Sequence, residues 1–226
     1  MIPLRDENQL EKFPFVTLGL IFFNLFVFLW EVSLGPRLDK TILLFGVIPE
    51  RITHLESPLE LITLFTSLFL HADFFHLAGN MLYLWVFGNN IEDRLGHSRF
   101  FLLYLICGVI SGLSFSLIVP DSKLPMIGAS GAVSGVLGAY FLLYPDAKIT
   151  VLLPLFFFWK TFKVRAFWFL LLWIGLQFFF AISGIQDTIH ARGGGVAWLA
   201  HILGFIAGAF LLTLFLKEKD SRSFYR

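Results

Sequence analysis

Two side chains in the sequence have the types and settings that nucleophilic chemistry needs. Ser130 lies in the run Gly128-Ala129-Ser130-Gly131, where small neighbours leave room for a base and a peptide backbone, and His201 is a polar residue in an apolar stretch. A serine hydroxyl activated by an imidazole performs acyl transfer in many hydrolases. Each residue also has an ordinary interpretation, because small residues in apolar helices usually serve packing and a lone buried histidine often bonds a neighbouring helix.

A second polar pair, His76 and Asn80, lies in another apolar stretch. The two residues are four positions apart and therefore share one helical face. In an apolar helix such side chains need partners. They could form a hydrogen-bonded brace between helices, or they could donate to the oxyanion that develops during acyl transfer. From spacing alone both interpretations stay open.

The composition predicts that a lipid bilayer surrounds these residues. Of the 226 residues, 57% are hydrophobic and only 15% are charged, which exceeds the apolar share of soluble domains. The charges fall between six apolar segments, which we expect to be helices because a lone strand leaves its backbone unpaired in hydrocarbon. The six segments are residues 13–34, 73–90, 100–119, 130–144, 166–185 and 197–216. The sequence therefore predicts an all-α integral membrane protein, a six-helix bundle forming one domain over residues 1–226.

The distribution of basic residues predicts the orientation of this bundle. If the N-terminus is cytoplasmic, the inner segments carry twelve of the 17 Lys and Arg residues and the outer segments carry five. The positive-inside rule then predicts short cytoplasmic tails at both ends, in the inner or plasma membrane of the cell.

The overall charge and the cysteine content indicate no further partner. The net charge of +1 gives no indication of nucleic-acid binding, and the single cysteine gives no indication of a metal site. We expect no metal and no cofactor.

The fourth apolar segment is too short to cross the membrane. From Ser130 to Tyr144 it has fifteen residues, about 22 Å of helix against a hydrocarbon core of about 30 Å. Pro145 and Asp146 fix its inner end, so its outer end is predicted to lie below the membrane surface. Irregular backbone is tolerated at that depth where it lines a wet cavity. The sequence thus predicts a submerged fourth helix with a water-filled pocket around Ser130.

The order of the six helices along the chain predicts that the polar residues of the second, fourth and sixth helices lie close together. The second, fourth and sixth helices run from outside to inside, and each carries its polar residues in its first turns. Gly131 in the fourth helix, with Gly204 and Gly208 in the sixth, gives both helices small-residue faces that allow close approach. Four side chains are therefore predicted to converge near the outer face: Ser130, His201, His76 and Asn80.

These motifs together resemble the rhomboid family of intramembrane serine proteases. The matching segments lie on the expected helices in the expected order, and they are His76-Leu77-Ala78-Gly79-Asn80, Glu92-Asp93-Arg94-Leu95-Gly96, Gly128-Ala129-Ser130-Gly131, and Ala200-His201 with Gly204 and Gly208. At the position four residues after Ser130, where some members carry an aromatic ring that stacks on the histidine, this sequence has Ser134.

The resemblance implies a mechanism and a class of substrate. It implies Ser130 as nucleophile and His201 as general base, without a third acidic residue, and an acyl-enzyme intermediate. The implied oxyanion hole consists of the Ser130 backbone N–H with the side chains of His76 and Asn80. The implied supporting residues are glycines, namely Gly128, Gly131, Gly204 and Gly208. The implied substrates are single-pass membrane proteins, cut in or near their transmembrane segment.

Two other functions compete with a protease. A catalytically silent rhomboid-like protein would bind client helices, but it would need neither Ser130 nor His201. A small transporter or channel would line a through path with polar groups, whereas the inner halves of these segments are nearly free of ionisable residues. Gln177, in the fifth segment, is interpreted as a hydrogen-bond partner between helices.

Overall fold

The computed structural model describes residues 1–55, 57–155, 158–189 and 196–216. A π-helical turn covers Leu84–Gly88, and 3-10 turns cover Gly35–Arg37, Pro58–Ile62 and Ser67–Phe69. In chain order the elements are β1 (Ile2–Asp6), α1 (Phe15–Ser33), α2 (Leu38–Phe45), α3 (Pro49–His54), α4 (Thr63–Thr66), α5 (Phe74–Tyr83), α6 (Asn89–Leu95), α7 (His97–Ile118), α8 (Ser130–Leu143), β2 (Lys148–Leu155), β3 (Phe158–Arg165), α9 (Ala166–Ile189) and α10 (Val196–Phe215).

Helices form at all six predicted apolar segments. In the described part of the chain, four are long and apolar enough to cross a membrane: α1, α7, and most of α9 and α10. A fifth candidate span joins Pro58–Phe69 to Phe74–Leu95 across a bend of 83°. The remaining helix, α8, has 14 residues, about 21 Å against a hydrocarbon core of about 30 Å. The chain is therefore a largely helical membrane protein with four or five candidate spans.

The short helix α8 lies at the centre of the helices. All its residues from Gly131 to Tyr140 are buried. The backbones of α8 and α10 touch, since a Cβ added at Gly138 would collide with the carbonyl oxygen of Phe205, and one at Gly208 with that of Gly135. The predicted close approach of these two helices is confirmed, because only residues without side chains permit this spacing.

A three-stranded antiparallel sheet corrects the prediction of an all-α chain. The strands lie in the order β1-β2-β3. Residues Ile149 and Val151 of β2 pair with Val164 and Phe162 of β3, and both β2 side chains are fully buried. The backbone argument against strands applies to a lone strand in hydrocarbon, whereas here neighbouring strands pair with one another.

The sheet also changes the description of the chain ends. The predicted N-terminal tail contains an edge strand, because Pro3 pairs with Val151 and Asp6 with Ile149. The Asp6 carboxylate accepts a hydrogen bond of 2.7 Å from the Tyr140 hydroxyl of α8, which ties the sheet to the central helix. Burial raises the pKa of Asp6. The predicted C-terminal tail, residues 217–226, lies outside the described residues.

The long connection between α1 and α5 packs against the loop that precedes α8. Val47 forms an isolated antiparallel bridge with Met126, and their backbone groups exchange hydrogen bonds of 3.0 and 2.7 Å. Further along, the Ser67 carbonyl accepts a hydrogen bond of 2.8 Å from the Gly128 N–H. These contacts hold the backbone immediately before Ser130.

A buried carboxylate from another helix caps the start of α1. Glu92 of α6 is 1% exposed, and it accepts hydrogen bonds from the backbone N–H groups of Val16 and Thr17 at 2.8 and 2.7 Å. The Thr17 hydroxyl and the His97 ring also contact this carboxylate, at 2.7 and 2.6 Å. A negative charge at a helix N-terminus is favourable because the free N–H groups point toward it. Pro14 supplies no side-chain cap, so Glu92 replaces one.

Changing Glu92 to glutamine is expected to lower the free energy of unfolding by about 2 to 3 kcal/mol, because the amide turns an NH₂ group toward buried donors and loses the charge. SDS titration in mixed micelles would measure the loss. Asp93→Asn is the matched control, since Asp93 accepts from the N–H groups of Glu11 and Lys12 at an exposed position, and it should cost less than about 1 kcal/mol. Equal losses in the two variants would contradict this role of Glu92.

Candidate active site

Ser130 is the first residue of α8, in the turn whose backbone N–H groups have no partner within the helix. The chain enters this turn through Gly128, whose φ of +121° suits only glycine. A Cβ at Gly128 would also lie 2.7 Å from both Cε1 and Nε2 of His76. A glycine at 128 is therefore required both by the backbone and by the ring packed against it.

The first turns of α5 contribute His76 and Asn80. Asp73 caps this helix by accepting a hydrogen bond of 2.9 Å from the His76 N–H. Asn80 follows one turn later and is 8% exposed. Its Nδ2 is buried and has no hydrogen-bond partner among the described residues. An amide donor without a partner at this position is available to an acceptor that enters the site.

Two cavities flank Ser130, and His201 and His76 line both. The larger cavity has a volume of about 280 Å³, and the smaller one has about 100 Å³. The larger cavity also contains Asn80, so all four side chains predicted to converge line it. The other residues that line it are Phe75, Gly79, Tyr83, Val133, Ser134, Leu137, Trp173, Gln177 and Trp198.

His201 lies in the second turn of α10 and bonds across to α9. Its Nδ1 is 2.8 Å from Oε1 of Gln177, whereas its Nε2 is buried without a hydrogen-bond partner among the described residues. The rings of Trp173 and Trp198 lie 6.2 and 6.1 Å from the imidazole, centroid to centroid. The predicted interhelical bond of Gln177 is confirmed, but the sequence did not show that its partner is His201.

The remaining predicted supporting residues hold the helices around the site. A Cβ at Gly131 would collide with the side chain of Ser111, and one at Gly204 with the carbonyl oxygen of Gly131. Ser111 in turn donates a hydrogen bond of 2.8 Å to the carbonyl oxygen of Ala200. Through these contacts α7, α8 and α10 fix the separation between the start of α8 and the turn that carries His201.

Another buried histidine, His71, lies behind His76 and outside both cavities. The two rings meet edge to face at 5.2 Å, and the His71 backbone N–H lies 3.2 Å from each carboxylate oxygen of Glu31. Among the described residues, no group of three or more His, Cys, Asp or Glu side chains could hold a metal ion.

Comparison with known proteins identifies the family. The model of the Rhomboid domain matches residues 58–218. The chain belongs to the rhomboid family. The matched range contains every residue of the cavity described above, while α1 and β1 precede it. Glu92 lies inside the matched domain and caps α1 outside it, so its hydrogen bonds connect the domain to the preceding helix.

One of the rhomboid relatives is named as a protease. Rhomboid protease GluP of Bacillus subtilis is 33% identical over 199 residues, which are 87% of this chain and 35% of that protein. The mitochondrial presenilin-associated rhomboid-like protein of Bos taurus is 36% identical over 155 residues, 67% of this chain and 39% of that protein. The mitochondrial Rhomboid protein 1 of Saccharomyces cerevisiae is 46% identical over 93 residues, 39% of this chain and 27% of that protein. These matches therefore cover well under half of each relative.

Proposed function

We propose that this rhomboid chain is an intramembrane serine endopeptidase that cleaves single-pass membrane proteins in or near their transmembrane segment. The observation that carries the proposal is the shared cavity, lined by Ser130, His201, His76 and Asn80. The buried Nε2 of His201, which has no partner among the described residues, supports a role as base. The relative named as a protease supports the same reaction class.

In the first half of the reaction, Ser130 is acylated. His201 Nε2 takes the proton from the Ser130 hydroxyl as Oγ attacks the carbonyl carbon of the scissile peptide bond. The new oxyanion accepts hydrogen bonds from the Ser130 backbone N–H and the side chains of His76 and Asn80. When the intermediate collapses, the carbon–nitrogen bond breaks and His201 returns the proton to the leaving amine.

In the second half, water releases the acyl group. His201 takes a proton from a water molecule whose oxygen attacks the ester carbon, and the same oxyanion hole holds the second tetrahedral intermediate. The carbon–oxygen bond to Ser130 then breaks, and the hydroxyl recovers its proton from His201. The larger cavity, of about 280 Å³, has room for several water molecules, since each occupies about 30 Å³.

The proposed topology gives the cavity access to water from one side of the membrane. Six helices cross or enter the bilayer as one domain, with both termini cytoplasmic in the cell membrane. The length of α8, 14 residues, supports a position of Ser130 below the outer surface, because a helix of about 21 Å whose inner end lies at the inner boundary does not span a hydrocarbon core of about 30 Å. The complete burial of Gly131 to Tyr140 supports this position, because surrounding helices shield the short helix from lipid.

A labelling and cleavage experiment tests the proposed function. The chain is reconstituted in vesicles with a single-pass model substrate, and a fluorophosphonate probe is added to a parallel sample. We expect a cut in or near the transmembrane segment, located by mass spectrometry, and probe attached to Ser130. Ser116→Ala is the matched control, because this α7 serine donates to the Gly112 carbonyl at 2.9 Å and lines neither cavity.

The same experiment separates the proposal from a catalytically silent rhomboid-like protein. A chain that binds the model substrate but neither cuts it nor takes up the probe would favour the silent alternative. Probe attached to another serine, with Ser130 unmodified, would reject the assignment of the nucleophile.

A further inference from the structure

Among the described residues, the His201 ring has one hydrogen-bond partner, and that partner decides which ring nitrogen carries the proton. Oε1 of Gln177 lies 2.8 Å from Nδ1 of His201. An amide oxygen only accepts hydrogen bonds, so this contact requires the neutral imidazole to carry its proton on Nδ1. The lone pair then belongs to Nε2, the nitrogen that is buried without a partner among the described residues. A general base needs that lone pair free.

We propose that Gln177 is a positioning residue, which holds His201 in the tautomer and orientation that act as base toward Ser130. The inference rests on the proposed function, and it adds a residue of α9 to the groups on α5, α8 and α10. Gln177 touches the base and not the reacting atoms. Its effect is therefore exerted through His201.

The other described groups that pack around the imidazole do not accept the Nδ1 proton of His201. Trp173 and Trp198 pack beside the ring, but an indole has only a donor and cannot accept the Nδ1 proton. Ser134, one turn after Ser130, donates its hydroxyl to the Ser130 carbonyl oxygen at 2.6 Å. The described residues that line the larger cavity include no Asp, Glu, Lys or Arg, and the titratable groups among them besides His201 are His76 and Tyr83 of α5.

The position of Gln177 supports a fixed contact. The residue is 5% exposed, although its neighbours Leu176 and Phe178 are 42% and 48% exposed and face the lipid side of α9. Its amide is therefore directed inward from a helix whose adjacent residues point outward. Inside a bilayer an unpaired amide is costly, and the imidazole N–H provides its partner.

Two substitutions at Gln177 test the proposal. Gln177→Leu removes the acceptor at nearly constant volume, and we expect kcat to fall about 10-fold to 100-fold, part of the roughly 10²-fold to 10⁴-fold that a general base contributes. KM should stay within about twofold, because the lost amide is assigned a bond to His201 and no contact with substrate. Gln177→Glu restores an acceptor, so it should recover most of the lost rate. Its carboxylate also stabilises the imidazolium, and the acidic limb of the pH–rate profile should move to higher pH.

The readouts separate positioning from a mere brace between α9 and α10. The rate at which a fluorophosphonate labels Ser130 should follow kcat in both variants. A brace alone would lower Tm in Gln177→Leu, which leaves the buried Nδ1–H of His201 without an acceptor, but it would not move the pH profile. Ser183→Ala is the control on the same helix, because its hydroxyl bonds only the Phe180 carbonyl at 3.2 Å in the described structure. Parental kcat and pH profile in Gln177→Leu would overturn the inference. Equal losses in the Leu and Glu variants, with an unmoved acidic limb, would also overturn it.

Two further variants, assayed in parallel, distinguish failure of the inference about Gln177 from failure of the proposed function. Ser130→Ala and His201→Ala are assayed beside the Gln177 variants. If both lack activity while Gln177→Leu is unimpaired, only the positioning role is rejected. If Ser130→Ala still cleaves the substrate, the proposed function fails, and the inference about Gln177 fails with it.

Discussion

Changing Ser130 to alanine is expected to lower kcat for a single-pass substrate by about 10⁴-fold or more, and His201→Ala is expected to cause a loss of similar size. Alanine at 130 removes the oxygen that forms the acyl-enzyme, and alanine at 201 removes the group that accepts its proton. Either change leaves only binding and the oxyanion donors. The double variant should therefore be about as slow as the slower single variant, because the two residues act as one unit.

Initial rates in vesicles, measured for both single variants and the double variant, give this comparison directly. Tm is recorded for each variant, because Ser130 starts α8 and the His201 ring lies beside two tryptophan rings. Ser116→Ala should retain the parental rate. Losses that multiply in the double variant, or a Ser130→Ala protein that cuts at more than about 1% of the parental rate, would contradict a dyad.

The positions of the helices could be predicted because a bilayer imposes strong rules on the sequence. Apolar segments must form helices there, and all six segments do. Residues in the first turns of helices that run in the same direction lie at the same end, so the order of the spans and the charge count predicted that four polar residues converge. All four line one cavity, namely Ser130, His201, His76 and Asn80. The predicted fourth segment ended one residue later than α8, which ends at Leu143.

The sheet could not be predicted in the same way because its pairs join distant parts of the chain. Strand β1 begins at Ile2, yet its partner β2 begins at Lys148. No local pattern in either segment indicates which other segment it pairs with. The short strand β1 also has a register shift between Pro3 and Arg5. The pairing is explained by tertiary contacts, in which the side chain of Ile149 of β2 is fully buried.

Polar residues within apolar helices gave a partial prediction. The rule that such residues need partners applied to Gln177, whereas Glu92 entered the sequence analysis only as part of a resembling motif. Hydropathy does not give the rotation of a helix about its axis. That rotation is set by packing against neighbouring helices. The structure pairs Gln177 with His201 at 2.8 Å and Glu92 with the start of α1. The first contact lies at the candidate site and the second lies away from it.

Asn80→Ala is expected to have the second large effect, a lower kcat with little change in the free energy of unfolding. Asn80→Ala should lower kcat roughly 10²-fold to 10³-fold, the usual loss for one oxyanion donor, with little change in KM. Because Nδ2 of Asn80 has no partner among the described residues, its removal breaks no ground-state bond of that donor. The free energy of unfolding should therefore change by less than about 1 kcal/mol.

Asn90 of α6 is the matched control for Asn80, because its replacement is expected to lower stability and not kcat. Asn90 is 2% exposed, and its Nδ2 donates to the Val86 carbonyl at 3.3 Å and to Oδ1 of Asn89 at 2.6 Å. Asn90→Ala should thus lose about 1 kcal/mol of stability and retain kcat, because Asn90 lines neither cavity. Kinetics in vesicles and SDS titration of both variants give the comparison. If Asn80→Ala keeps the parental kcat, or if its lower rate is matched by a loss of folded protein, Asn80 does not stabilise the oxyanion.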